Sequence, residues 1–132
     1  MTKEELVAKA IEARKNSYSP YSHFAVGAAL LTKDGRIFFG ANIENASYPV
    51  SMCAERNALF SSYANGVTYD DIEAIAIVAD TDRPVSPCGM CRQALSELFP
   101  KNGKIYLANL KGEIKVTNVE ELLPYAFDGD DL

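Results

Sequence analysis

Basic charge is scarce in this chain. Its 13 lysines and arginines are outnumbered by 18 aspartates and glutamates, which leaves a formal net charge of −5. A polyphosphate backbone would be repelled unless the cations gathered on one face, so small molecules are favoured as partners over nucleic acid. Long apolar runs are missing too. The longest, Ile72 to Ala79, contains Glu73 and falls far short of the roughly 20 residues that cross a bilayer, so no membrane span is expected. Met1-Thr2-Lys3-Glu4-Glu5 has acid where a secretory signal carries base, and no apolar stretch follows it, which points to a cytoplasmic protein. Histidine occurs once and cysteine three times. An odd number of thiols cannot all pair within one chain, and in a reducing compartment thiols more often bind metals or act as nucleophiles. Repeats, low-complexity tracts and linkers are absent. What remains is 132 residues with 48% hydrophobic content, enough for one core and too little for two, so residues 1–132 are expected to form a single domain.

The hydrophobic pattern orders the elements. Thr2 and Glu5 have capping-box spacing, and Leu6, Val7, Ala10 and Ile11 recur with helical period. Phe24 to Leu31 and Arg36 to Ile43 read as strands of an antiparallel hairpin turned at Lys33-Asp34-Gly35. Ala54, Ala58, Leu59 and Tyr63 stripe a second helix that ends near Asn65-Gly66. Ile72 to Ala79 has the composition of a strand covered on both faces. Cys91, Leu95, Leu98 and Phe99 stripe a third helix, Lys104 to Asn109 and Glu113 to Val116 form two more strands, and Thr117 with Glu120 offers a capping box for a last helix stopped by Pro124. The acidic end, Asp128 to Leu132, is expected to fray. This order predicts a three-layer α/β/α fold around a five-stranded mixed sheet, its middle strands made parallel by crossover helices.

Two short motifs carry the chemistry. Cys53-Ala54-Glu55 follows one strand and Pro87-Cys88-Gly89-Met90-Cys91 follows the next, so both begin helices at the same sheet edge, where open α/β folds place their ligands. Cys88 and Cys91 are three apart and share a helical face, while Cys53 comes from the facing helix start. A structural zinc site normally closes with four protein ligands, whereas a catalytic one uses three and leaves a position for water. Three cysteines therefore favour catalysis, with one zinc per chain. Glu55, two residues from a ligand, is placed to take the water's proton and pass it on as general acid/base. A ligand-x-Glu motif followed by Pro-Cys-x-x-Cys is the pattern of zinc nucleobase deaminases. Three thiolates on a divalent ion weaken its hold on water, and Arg56 could compensate by donating to a cysteine sulfur, or could be an ordinary surface arginine.

From these residues outward the chain resembles the short, homotetrameric cytidine deaminases over almost its whole length. Tyr18-Ser19-Pro20-Tyr21-Ser22, Phe24, Val26-Gly27-Ala28, the stretch Gly40-Ala41-Asn42-Ile43-Glu44-Asn45-Ala46-Ser47-Tyr48-Pro49, and Leu122-Leu123-Pro124 with Phe127 are similar to that family's substrate loops and C-terminal end. Ala25 departs from the proline of many relatives. The resemblance implies hydrolytic deamination of cytidine and deoxycytidine to uridine and deoxyuridine. It implies that Phe24 stacks on the pyrimidine, that Asn42 and Glu44 hydrogen-bond the ribose, and that the Ala54 backbone meets the base. It further implies that Tyr48 and Phe127 reach a neighbouring subunit's site in a homotetramer.

Plainer roles stand beside these. Phe24 could be core, Asn42 and Glu44 turn residues, Tyr48 and Phe127 packing residues, and His23 could close a structural Cys₃His site. The rival functions are another deaminase on the same scaffold, such as a blasticidin S deaminase or a tRNA-editing adenosine deaminase, and a non-catalytic zinc-binding interaction module.

Overall fold

The computed structural model describes residues 1–132. Thr2 caps α1 (Lys3–Arg14): its side chain accepts from the Glu5 amide while the Glu5 carboxylate accepts from the Thr2 amide, closing the expected box. The hairpin strands are β1 (Val26–Thr32) and β2 (Ile37–Ala41), with Gly35 at φ 92° in the connecting turn. Next come α2 (Ala54–Ala64), β3 (Ile72–Ala79), α3 (Gly89–Leu98), β4 (Lys104–Asn109), β5 (Ile114–Thr117) and α4 (Val119–Leu122). No helix is long and apolar enough to cross a membrane.

The sheet has five strands in the order β2-β1-β3-β4-β5. β1 pairs antiparallel with both β2 and β3, β3 pairs parallel with β4, and β4 pairs antiparallel with β5. β2, β3 and β4 all run the same way, as the crossover helices require, although only β3 and β4 pair directly; β1, second strand of the sheet, runs against both neighbours. Because β1 opposes both, β2 and β3 still point the same way, and their carboxyl ends share one edge.

Each face of the sheet carries its own core. Leu6, Val7 and Ala10 of α1 cover Ala29, Leu31, Ala74, Ala76, Val78 and Ala108. On the opposite face Ala54, Ala58 and Leu59 of α2 and Leu95 of α3 pack on Ala28, Leu30, Ile75, Ile77 and Ile105. This is the three-layer arrangement the sequence pattern predicts, and β3 is buried on both faces except at Glu73. α2 lies close on β2 because Gly40 lacks a side chain, since a Cβ there would fall 2.2 Å from the Ala54 carbonyl oxygen.

Several boundaries differ from the sequence reading. Phe24 and Ala25 lie outside β1, and Asn42 and Ile43 lie outside β2, because the Asn42 side chain bonds the Phe24 carbonyl and the Val26 amide and breaks the ladder there. Phe99 leaves the helical conformation (ψ 138°) and is fully buried just past the end of α3. The cap of α4 is Asn118, whose side chain accepts from the Glu121 amide; Thr117 is the last residue of β5 and bonds the Glu121 carboxylate instead. The acidic end forms a 3₁₀ turn (Gly129–Asp131) closed by a box between Asp128 and Asp131.

Candidate metal centre

Both helix starts at the shared edge carry a cysteine at the capping position: Cys53 precedes α2 and Cys88 precedes α3. A capping side chain ordinarily accepts from its own helix's amides. Neither sulfur makes such a bond. Each instead faces the other, with 3.7 Å between the Cys53 and Cys88 sulfurs and 3.5 Å between those of Cys88 and Cys91, and all three lie within 4.8 Å of one another. Zinc with Zn–S bonds of about 2.3 Å in tetrahedral geometry requires sulfurs about 3.8 Å apart. The triangle fits the ion. His23 lies outside the cluster, exposed and with φ 57°, so a closed four-ligand site using that histidine is not formed.

Charge around the thiols is arranged for anions. The Cys53 thiol is pulled down to about 5, first by the hydrogen bond from Cys91 and then by Arg56 and Cys88. The reciprocal effect, with burial, pushes the Cys91 thiol up. Cys53 is thus the thiolate of the pair and Cys91 its hydrogen-bond donor. A divalent cation at their centre deprotonates a coordinating thiol outright, so Cys91 joins Cys53 as thiolate when metal is bound. Arg56 is half-buried, and its Nη2 donates to the Cys53 sulfur at 3.5 Å. Burial disfavours its charge, but bonds to Cys53 and Cys91 outweigh that and hold it firmly protonated. Its Nε is buried without a hydrogen-bond partner.

Glu55 is 5% exposed, and burial raises its carboxyl above the usual carboxylate range, with the Cys53 charge adding to the effect. A carboxyl held in this way gives up a proton less readily than a free one, which suits a group that must both accept and return it.

The loops flanking the thiols are tied to the ligand helix. Ile43 exchanges backbone hydrogen bonds with Met52, the residue before Cys53, and Glu44 donates its amide to the Tyr18 carbonyl. Asn42 is half-buried; its oxygen accepts from Ser17 and Val26 and its nitrogen donates to the Phe24 carbonyl at 2.7 Å. Glu44 accepts from the amides of Tyr21 and Ser22 at 3.0 and 3.1 Å and from the Ser22 hydroxyl, whose bond leads the causes that lower its pKa. Both residues therefore brace the Tyr18 to Phe24 loop, whatever else they bind. Phe24 is 42% exposed, Tyr48 71% and Phe127 58%. Tyr48 meets Tyr21 edge to face at 6.1 Å, and both line a cavity of about 320 Å³ that includes Glu44. Ala54 is fully buried at the first turn of α2. Sequence reasoning missed Asn57, which holds the Ala41 carbonyl at 2.7 Å, and Arg92, which holds the Pro87 carbonyl behind Cys88. Nothing in their spacing distinguishes them from other polar residues.

The family described as the cytidine and deoxycytidylate deaminase zinc-binding region matches residues 1–107. The chain belongs to that family. A cytidine deaminase of Halalkalibacterium halodurans is 55% identical over 132 residues, covering 100% of this chain and 98% of that protein. A crystal structure of a cytidine deaminase from Burkholderia pseudomallei superposes with a TM-score of 0.94 at 48% identity, covering 96% of this chain and 100% of the other. A blasticidin-S deaminase of Bacillus cereus is 36% identical over 129 residues, covering 93% and 90%.

The three thiols should act as one unit. Replacing Cys53, Cys88 or Cys91 by Ala is expected to remove zinc and turnover together, from one ion per chain to none. Elemental analysis alongside an activity assay checks this, and a cysteine variant that turns over normally without metal would refute it.

Proposed function

We propose that residues 1–132 form one catalytic unit that hydrolyses cytidine and deoxycytidine to uridine and deoxyuridine with release of ammonia. The observation that carries this reading is a buried, proton-poised Glu55 two residues from one of three converging thiols, in a chain of the deaminase family. Zinc held by Cys53, Cys88 and Cys91 supplies the Lewis acidity that makes water a nucleophile at neutral pH. Glu55 accepts the proton of the attacking water and delivers it to N3 as the C4–O bond forms. It then carries the proton of the new C4 hydroxyl to the exocyclic amino group, the C4–N bond breaks as the C4 carbonyl forms, and ammonia leaves. Arg56 withdraws charge from Cys53 and so keeps the zinc electrophilic.

For the substrate, Phe24 stacks on the pyrimidine, the Ala54 backbone meets the base, and Asn42 and Glu44 read the ribose. Tyr48 and Phe127, both largely exposed in one chain, complete a neighbour's site in a homotetramer. The product returns the base to the uracil series, a step of pyrimidine salvage in the cytoplasm. The blasticidin-S deaminase relative keeps that antibiotic as the second substrate to test; Asn42 and Glu44 favour the free nucleoside. The net charge of −5 disfavours a tRNA substrate.

An ultraviolet assay on cytidine, deoxycytidine and blasticidin S, with and without chelator, tests the activity. Glu55→Gln should keep its zinc and lose at least about 10²-fold in kcat, the low end of a proton-transfer contribution. Near-normal turnover would assign the proton to another group.

Glu44→Ala separates sugar reading from loop bracing. Loss of a charge-assisted bond to the ribose 3′-hydroxyl costs roughly 1.5–3 kcal/mol, so kcat/KM for cytidine should fall about 10- to 100-fold. For 2′,3′-dideoxycytidine, which lacks that hydroxyl, the variant should lose little further. Equal losses on both substrates would leave Glu44 only its bonds to Tyr21 and Ser22.

Activity should also require assembly. Light scattering on dilution or on interface variants checks this, and a folded, fully active monomer would remove Tyr48 and Phe127 from the site.

A further inference from the structure

Of the three thiols, Cys91 is buried and Cys53 half-buried, but Cys88 is exposed. Packing therefore does not confine the Cys88 side chain, and its direction depends on the backbone that carries it. That backbone is held from both sides by one residue. The Arg92 amide donates to the Cys88 carbonyl at 3.0 Å. The Arg92 side chain turns back, and its Nε donates to the Pro87 carbonyl at 2.9 Å. The two peptide planes flanking the Cys88 α-carbon, which define its φ of −67° and ψ of 165°, are thus both anchored to Arg92.

The rest of the guanidinium extends the brace. One Nη donates to the Leu122 carbonyl at 2.8 Å and the other to the Ser86 hydroxyl. The neighbouring Gln93 donates to the Phe127 carbonyl at 2.9 Å. Three acceptors in three directions suit a planar fork with five N–H groups; an ammonium, a compact charge on a flexible stem, cannot reproduce that fixed geometry.

We propose that Arg92 is a positioning residue for the metal: it locks the Ser86–Pro87–Cys88 stretch to the end of α4 and so keeps the exposed Cys88 sulfur in register with Cys53 and Cys91. This rests on the zinc reading above. The Arg92 side chain bonds Pro87, Leu122 and Ser86 and none of the three sulfurs, so its effect is on how firmly the ion is held. Outer groups that orient ligands typically contribute 10- to 100-fold to metal affinity.

The test is zinc release from the purified holoenzyme to excess chromogenic chelator, followed by absorbance. Arg92→Lys and Arg92→Ala, each checked by circular dichroism and thermal melting, should release zinc at least about 10-fold faster than the wild type. Arg92→Lys keeps the charge and the stem, so it carries the test if the Ala variant does not fold. Arg92 lines an open cavity of about 440 Å³ with Arg83, Lys115 and Glu121, through which a small cation can reach the vacated position. Millimolar guanidinium should slow release from Arg92→Ala, and equimolar urea should not. Gln93→Ala, which removes only the bond to the Phe127 carbonyl, should release zinc at the wild-type rate. Wild-type release from folded Arg92 variants overturns the proposal, as does equal acceleration in Gln93→Ala, which would assign the effect to docking of the C-terminal segment. A wild-type protein without zinc would instead overturn the function itself.

Discussion

The site exists because β1 runs antiparallel to both of its neighbours. That single orientation makes β2 and β3 point the same way although they never touch, and it delivers the starts of α2 and α3 to one edge of the sheet. The positive ends of two helices meet there. A cysteine at each capping position lies in their field without engaging its own helix's amides. Had either helix crossed to the other edge, Cys53 and Cys88 would be separated by the length of a strand. The close rest of α2 on Gly40 belongs to the same constraint, since it fixes how far the first helix start projects over the sheet.

Charge then follows position. Thiolates gathered in a half-buried pocket repel one another, and the protein offsets this with helix ends and with Arg56 on the Cys53 sulfur. Glu55 meets the opposite treatment: burial raises its carboxyl while the Cys53 thiol beside it is lowered. Neighbouring groups pushed in opposite directions are the mark of a site that moves protons.

Most of the layout was legible in the sequence because it rests on periodicity and spacing. The nearly all-apolar stretch at Ile72 to Ala79 announced the central strand, Thr2 and Glu5 announced the first cap, and the two cysteine motifs placed the metal. What remained hidden depends on side chains reaching far along the chain. Asn42 ends two strands by bonding across the hairpin, and neither its type nor its position says so. Asn118 in place of Thr117 as the cap of α4 turns on one residue of strand length. The place of β1 between β2 and β3 escaped because a helix between two strands implies a crossover without saying which strand fills the gap. Arg92 stands beside a ligand in the sequence, yet its work is done on residues five and six positions earlier and thirty later.

The spacing of the sulfurs also bears on how the protein ages. Cys88 and Cys91 form a Cys-x-x-Cys pair at a helix start with their sulfurs 3.5 Å apart, and a low-pKa thiol lies beside them at Cys53. Oxidants attack thiolates, and a sulfenic acid with a second thiol in reach condenses to a disulfide. Zinc occupies the electron pairs such chemistry needs, so the ion that serves the reaction is also the antioxidant of its own ligands. Once stripped of metal in air, the chain would carry a lesion that added zinc alone does not reverse. A thiol reductant belongs beside the metal in any buffer meant to preserve it.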